Sequence, residues 1–130
     1  MNKCRVVVRI LYCLAVCVFL IACAAPKQQL VRSKSAYDQV FKACLDATVD
    51  VNYGISSTDS KIGLIVAEQA VFGSSAKVVK LNIIVSRVGN MTEVKVNWIP
   101  PPGTSGGAGV VDKYIDALKK RIPDVEISAQ

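Results

Sequence analysis

Apolar and polar positions change their rhythm several times along this chain, and each change marks an element. Residues 10–25 form an uncharged, mostly apolar run, preceded in residues 1–9 by three positive charges and no negative one. From Tyr37 the apolar positions Tyr37, Val40, Phe41, Cys44, Leu45 and Thr48 recur at helical spacing, opposite Asp38, Gln39, Lys42, Asp46 and Asp50. This spacing predicts an amphipathic helix. Ser35 followed by Asp38 resembles a capping box at its start, and Asn52 and Gly54 are residues that can take the left-handed conformation ending a helix.

After the helix the period falls to two. Residues 53–58 read as a short strand, Asp59, Ser60 and Lys61 as a turn, and residues 63–72 as a second strand rich in β-branched and aliphatic side chains. Gly73, Ser74 and Ser75 interrupt the pattern. Residues 77–88 alternate clearly, with Val79, Leu81, Ile83 and Val85 on one side and Lys80, Asn82 and Ser86 on the other; Ile84 is the exception. Gly89-Asn90 is a turn signal, after which Val94, Val96 and Trp98 alternate with Glu93, Lys95 and Asn97 up to Ile99. Pro100, Pro101, Pro102 and Gly103 stop this strand, because proline has no N–H to give a ladder. A glycine-rich loop over residues 104–109 is expected to be flexible. A second helix follows from Val110 or Val111 to Ile122, with Val111, Tyr114, Ile115, Leu118 and Ile122 on one face. Lys119, Lys120 and Arg121 sit at the negative end of its dipole, and Pro123 is the stop. The expected fold is α+β: a helix, a four-stranded antiparallel meander and a helix, with both helices on one face of the sheet and the other face open. Residues 124–130 read as a loose tail.

The N-terminal run has the form of a secretory signal peptide. An uncleaved membrane anchor is the alternative, but a spanning helix wants about 20 apolar residues, and residues 10–25 supply 16. The run ends in Leu20-Ile21-Ala22-Cys23, which resembles the lipobox of bacterial lipoproteins. That resemblance implies cleavage between Ala22 and Cys23, a diacylglycerol on the Cys23 thiol, and acylation of the new amino group. Residues 1–22 would then be a signal, 23–34 a lipidated cysteine with a polar, basic tether, and 35–123 a single domain. Such an anchor holds firmly, since each buried CH₂ contributes about 0.8 kcal/mol and two or more chains suffice for stable attachment. Residue 24 is alanine; in the same family an aspartate there favours the inner membrane, so the resemblance implies the outer membrane, facing the periplasm.

Charge and composition narrow the function further. The full chain carries a formal +6, but without Lys3, Arg5 and Arg9 it has 13 basic against 10 acidic residues. A surplus so small and so scattered does not make the basic footprint that nucleic acid requires. Histidine is absent, which removes the commonest general base and metal ligand at neutral pH. No catalytic residue, metal or cofactor is assigned. Of five cysteines, Cys4, Cys13 and Cys17 fall in the signal, leaving Cys23 and Cys44; Cys44 lies on the apolar stripe of the first helix and reads as core.

Several side chains remain as candidates. Asp46 with Asp50, and Asp112 with Asp116, stand one helical turn apart and could form a carboxylate site, although such pairs commonly lie on solvated faces. The loop containing Gly103, Gly106 and Gly107 precedes a helix, where free N–H groups can hold an anion, but it lacks the Lys-Ser/Thr ending of a phosphate-binding loop. Trp98, Tyr53 and Tyr114 could line a ligand groove between helices and sheet or could belong to the core.

The element order, with Val40-Phe41, Cys44-Leu45, Gly54, Asp59 and Gly63, is similar to helix-grip-type domains of periplasmic lipoproteins, including an accessory lipoprotein of the barrel-assembly machinery. The resemblance implies a protein-binding or envelope-structural role, with an envelope protein as partner. This chain differs from that accessory lipoprotein in having one such domain and a shorter tether. A carrier or sensor of a small ligand held between helices and sheet is the alternative.

Overall fold

The computed structural model describes residues 28–71, 77–102 and 108–128. Its elements are β1 (Gln28–Ser33), α1 (Tyr37–Asp50), β2 (Gly54–Asp59), β3 (Leu64–Val71), β4 (Lys77–Val88), β5 (Met91–Ile99), α2 (Ala108–Arg121) and β6 (Glu126–Ser128). The fold is α+β, with two helices and one antiparallel sheet in the order β2-β3-β4-β5-β1-β6.

The expected four-stranded meander is present as β2 to β5, but the sheet has six strands. The two additional strands come from stretches whose polarity suggested a tether and a loose tail. β1 pairs along its whole length with β5, from Gln28 opposite Asn97 to Ser33 opposite Thr92. β6 then pairs with β1, with Val31 opposite Ile127. Little in the sequence QQLVRS favours a strand, yet the edge of β5 leaves a row of backbone donors and acceptors to satisfy. β1 fills that edge and turns Val31 and Ser33 inward, where both are buried.

Helix α1 buries Val40, Phe41, Ala43, Cys44, Ala47 and Thr48, the stripe its spacing predicts. Its start differs from the capping-box expectation: Ala36 is the N-cap and no side chain caps it, because the Ser35 hydroxyl bonds Asp124 instead. Its end is closed by Asn52, at φ 62°, whose N–H reaches Val49 O while the Tyr53 N–H reaches Thr48 O. Asparagine tolerates this conformation better than most residues, and Gly54 is not needed for it.

In the sheet, Ile65, Ala67, Val79, Leu81, Ile83, Val85, Val94, Val96 and Trp98 are all buried. Helix α1 packs over β2 and β4, α2 packs over β5, and the helices touch each other, so both cover this one face. Helix α2 contributes Val111, Tyr114, Ile115, Ala117, Leu118 and Ile122 to the same core. Each fully buried Leu, Ile or Val contributes about 1.5–3 kcal/mol. Ile84, the exception to the alternation, lies on the opposite face in one cross-strand row with Leu64 and Lys95.

Two glycines set turns. Gly63 has φ +72°, and a Cβ there would fall 1.8 Å from Val85 O; the Gly63 carbonyl accepts the Val85 N–H at 2.8 Å. Gly89, at φ +64°, serves the β4–β5 turn that Gly89-Asn90 predicts. Among the described residues no helix is long and apolar enough to cross a membrane.

Candidate functional site

The lipidation and cleavage residues Cys23 and Ala22, and the loop glycines Gly103, Gly106 and Gly107, lie outside the described residues. The chain enters the described body at Gln28, five residues after Cys23.

The three candidate aromatics are all inward, with Tyr53 4%, Trp98 8% and Tyr114 0% exposed. They do not form one group. Tyr114 crosses from α2 to α1, and its hydroxyl donates to the Cys44 carbonyl at 3.1 Å. The same carbonyl accepts the Thr48 hydroxyl at 2.8 Å. Burial raises the Tyr114 hydroxyl well above its ordinary range and pushes the Cys44 thiol up to about 12, so neither ionises at neutral pH. This arrangement ties the helices together without displaying a reactive group.

Trp98, opposite Leu81 in the sheet, lies beside Tyr53. Burial raises the Tyr53 hydroxyl, and the neighbouring Trp98 indole partly offsets the effect. Apart from this approach to Tyr53, the buried Trp98 Nε1–H has no hydrogen-bond partner among the described residues. A buried donor left unsatisfied costs about 1–3 kcal/mol.

The carboxylate pairs are rearranged by helix packing. Asp50, Val51 and Asn52 at the end of α1 and Lys113, Asp116, Ala117 and Lys120 of α2 line an open cleft of about 620 Å³. Asp50 also receives Arg121 in an ion pair at 2.5 Å. The cleft thus takes one aspartate from each expected pair and sets lysines among them, a balanced lining with no concentration of either charge. Among the described residues, no group of three or more His, Cys, Asp or Glu side chains gathers to hold a metal.

Two further clusters escaped sequence reasoning. At the join of β1 and α1, Asp124 accepts the Ser33 hydroxyl at 3.0 Å, the Lys34 N–H at 2.8 Å and the Ser35 hydroxyl at 3.0 Å. Thr92 donates to the Ser35 carbonyl at 2.9 Å. Partial burial raises the Asp124 carboxyl, but the bonds from Lys34, Ser33 and Ser35 outweigh it and leave the group below its ordinary value. At the same end of the sheet, Arg87, directly opposite Thr92, sits 5.3 Å over the Tyr37 ring; the ring stacks on Phe41, and its hydroxyl donates to the Ser60 carbonyl at 2.7 Å. Both clusters fasten loops to the sheet. No local sequence signal marks them, since their members are far apart along the chain.

No family model matches this chain, and no curated protein matches it. Among solved structures, the crystal structure of Ara h 8.0201 is similar over 75% of this chain and 93% of that one, at 11% sequence identity and a TM-score of 0.36. A likeness so slight transfers nothing from that protein to this one.

Proposed function

We propose that this chain is a lipoprotein anchored through Cys23 in the outer membrane, presenting its α+β body to the periplasm, where it binds another envelope protein or has a structural role without catalysis. The observation that carries this reading is the charged start, the uncharged apolar run and the ending Leu20-Ile21-Ala22-Cys23. The early start of β1 is compatible with it, because only residues 24–27 separate the lipidated cysteine from the sheet. Two surfaces suit a protein partner. β2 is a sheet edge exposed along all six residues, open to an added strand, and the face carrying Ile84 is not covered by the helices.

Mass spectrometry of the mature N-terminus, purified from membranes, tests the anchor. The native chain should begin at an acylated Cys23, and the Cys23→Ala chain should remain uncleaved and without lipid. A native chain that starts at Met1 or lacks lipid would remove the basis of the proposal. Cross-linking in intact cells should then recover an envelope protein joined to β2 or to the open sheet face.

The unpartnered Trp98 N–H beside Tyr53 favours a second reading, a carrier or sensor of a small ligand that accepts a hydrogen bond at that position. Native mass spectra of the purified protein should then hold a small molecule that the Trp98→Phe variant does not retain. Identical spectra for the two proteins would eliminate it.

A further inference from the structure

The open face of the sheet is less polar than a face meant only for solvent. Its middle row runs Leu64, Ile84, Lys95 and Leu30, directly opposite one another across β3, β4, β5 and β1. Among the described residues, half of the exposed large hydrophobic side chains, Val78, Ile84, Val88 and Ile99, belong to this face by the alternation of β4 and β5, whereas the helices show only Val49. Apolar exposure therefore selects the sheet face over the helix layer as the surface that gains by being covered.

The polar groups of the face point to the partner. Glu68, Glu93 and Glu126 are balanced by Arg32, Lys80 and Lys95, so the face offers no single sign of charge for a partner to match. Lys80 pairs with Glu68 at 3.3 Å and Arg32 with Glu93 at 3.0 Å, while Lys95 has no ion pair among the described residues. Asn82 Oδ1 is buried without a partner, so covering the face strips no further water from that acceptor. Strands β4 and β5 are the middle pair of the six. A two-fold axis along the strands, over the line between them, gives two copies their greatest overlap and sets each cross-strand row against the same row reversed. Ile84 then meets the copy's Lys95, Asn82 meets Asn97, Lys80 meets Ile99 and Leu64 meets Leu30, with no like charges face to face. The lysine stems cover the isoleucines. An axis over β4 or β5 alone would oppose Lys80 or Lys95 to itself.

We infer that the open sheet face is the contact between two copies of this chain, with Ile84 and Lys95 at its centre. Four strands about 4.8 Å apart, each contributing about 26 Å of length, give about 500 Å² on each copy. The total of about 1,000 Å² meets the lower bound of a specific interface. The axis along the strands also keeps the two Gln28 ends together, as chains anchored in one leaflet require; in this respect the inference rests on the anchor proposed above. It assigns one of the two surfaces named there to a second copy and leaves the β2 edge for another envelope protein.

The test treats the full chain in intact cells with a bis-maleimide of about 10 Å, the spacing of stacked sheets. One thiol is introduced per chain: Ile84→Cys or Ser86→Cys on this face, or Val49→Cys on α1 as the control. Cys44 is fully buried and does not compete, and the unsubstituted chain gives the background from Cys23. Product of twice the chain mass should be severalfold more abundant from positions 84 and 86 than from 49. Equal product at all three, or none at 84 and 86, overturns the pairing; product of another mass at 84 and 86 gives the face to a different protein and overturns it as well. Adding Ile84→Arg to the Ser86→Cys chain should reduce the product to the level at 49 while the circular dichroism spectrum stays that of the parent. Undiminished product from that folded variant would remove Ile84 from the contact. The N-terminal mass of the same samples separates the two ideas. An acylated Cys23 without product leaves the anchor and overturns the pairing, whereas product from an unacylated chain supports the pairing and overturns the anchor.

Discussion

At Gly63 the backbone leaves no room for a side chain. Its left-handed φ and the 1.8 Å approach of a Cβ to Val85 O oppose any substitution, and a non-glycine residue in such a conformation costs about 1–3 kcal/mol before the clash is counted. Gly63→Ala should lower the unfolding free energy measured in urea by at least that amount; a variant as stable as the parent would show that the turn can rearrange. Tyr114→Phe removes a buried hydroxyl whose acceptor, the Cys44 carbonyl, keeps its bond from Thr48. The expected loss is therefore modest, about 1 kcal/mol in denaturant unfolding. Cys44, pushed up to about 12 by burial, should react with a thiol reagent only when the chain unfolds, and fast labelling of the native protein would contradict its buried position. Asp124 supplies a pH dependence. Its folded-state value lies below the ordinary 3.8, so its contribution is present above that value and is lost as pH falls through the depressed one. The carboxylate is exposed to solvent, which limits the effect to about 1 kcal/mol or less. Asp124→Asn should flatten this part of the acid-unfolding curve, and an unchanged curve would exclude Asp124 as its source.

Among the elements, period and burial agree wherever a segment carries enough apolar residues to show a period. The stripes of α1 and α2 and the alternation of β4 and β5 were legible on this ground, and the inward residues of β4 named by alternation are buried. β1 and β6 fall below that threshold. β1 has two aliphatic residues, of which only Val31 turns fully inward, and β6 has three residues in all. What makes them strands is the pairing offered by β5 and then by β1. Val31, opposite both Val94 and Ile127, is accordingly structural. Val31→Ser should cost about 2 kcal/mol or more through lost burial and an unsatisfied hydroxyl, measured by thermal unfolding, whereas a residue in a tether would tolerate the change. The capping-box pattern is not realised for a similar reason, because the Ser35 hydroxyl bonds Asp124 rather than the start of α1.

For the whole molecule, the cysteine of the proposed anchor precedes the first strand of the sheet by only five residues. The two helices, the meander from β2 to β5 and the residues facing its core follow from the periodicity of apolar residues within single segments. The sequence also carries Leu20-Ile21-Ala22-Cys23, whose resemblance to a lipobox is the basis of the proposed location. Tertiary structure decided the rest: that the sheet continues through β1 and β6, that Trp98 adjoins Tyr53 while Tyr114 bonds Cys44, and that Asp50 and Asp116 share a cleft with two lysines. The physical reason is separation along the chain. Ser33 and Asp124 are 91 residues apart, and Tyr114 and Cys44 are 70, so contacts between them arise only when the packed core brings their segments together.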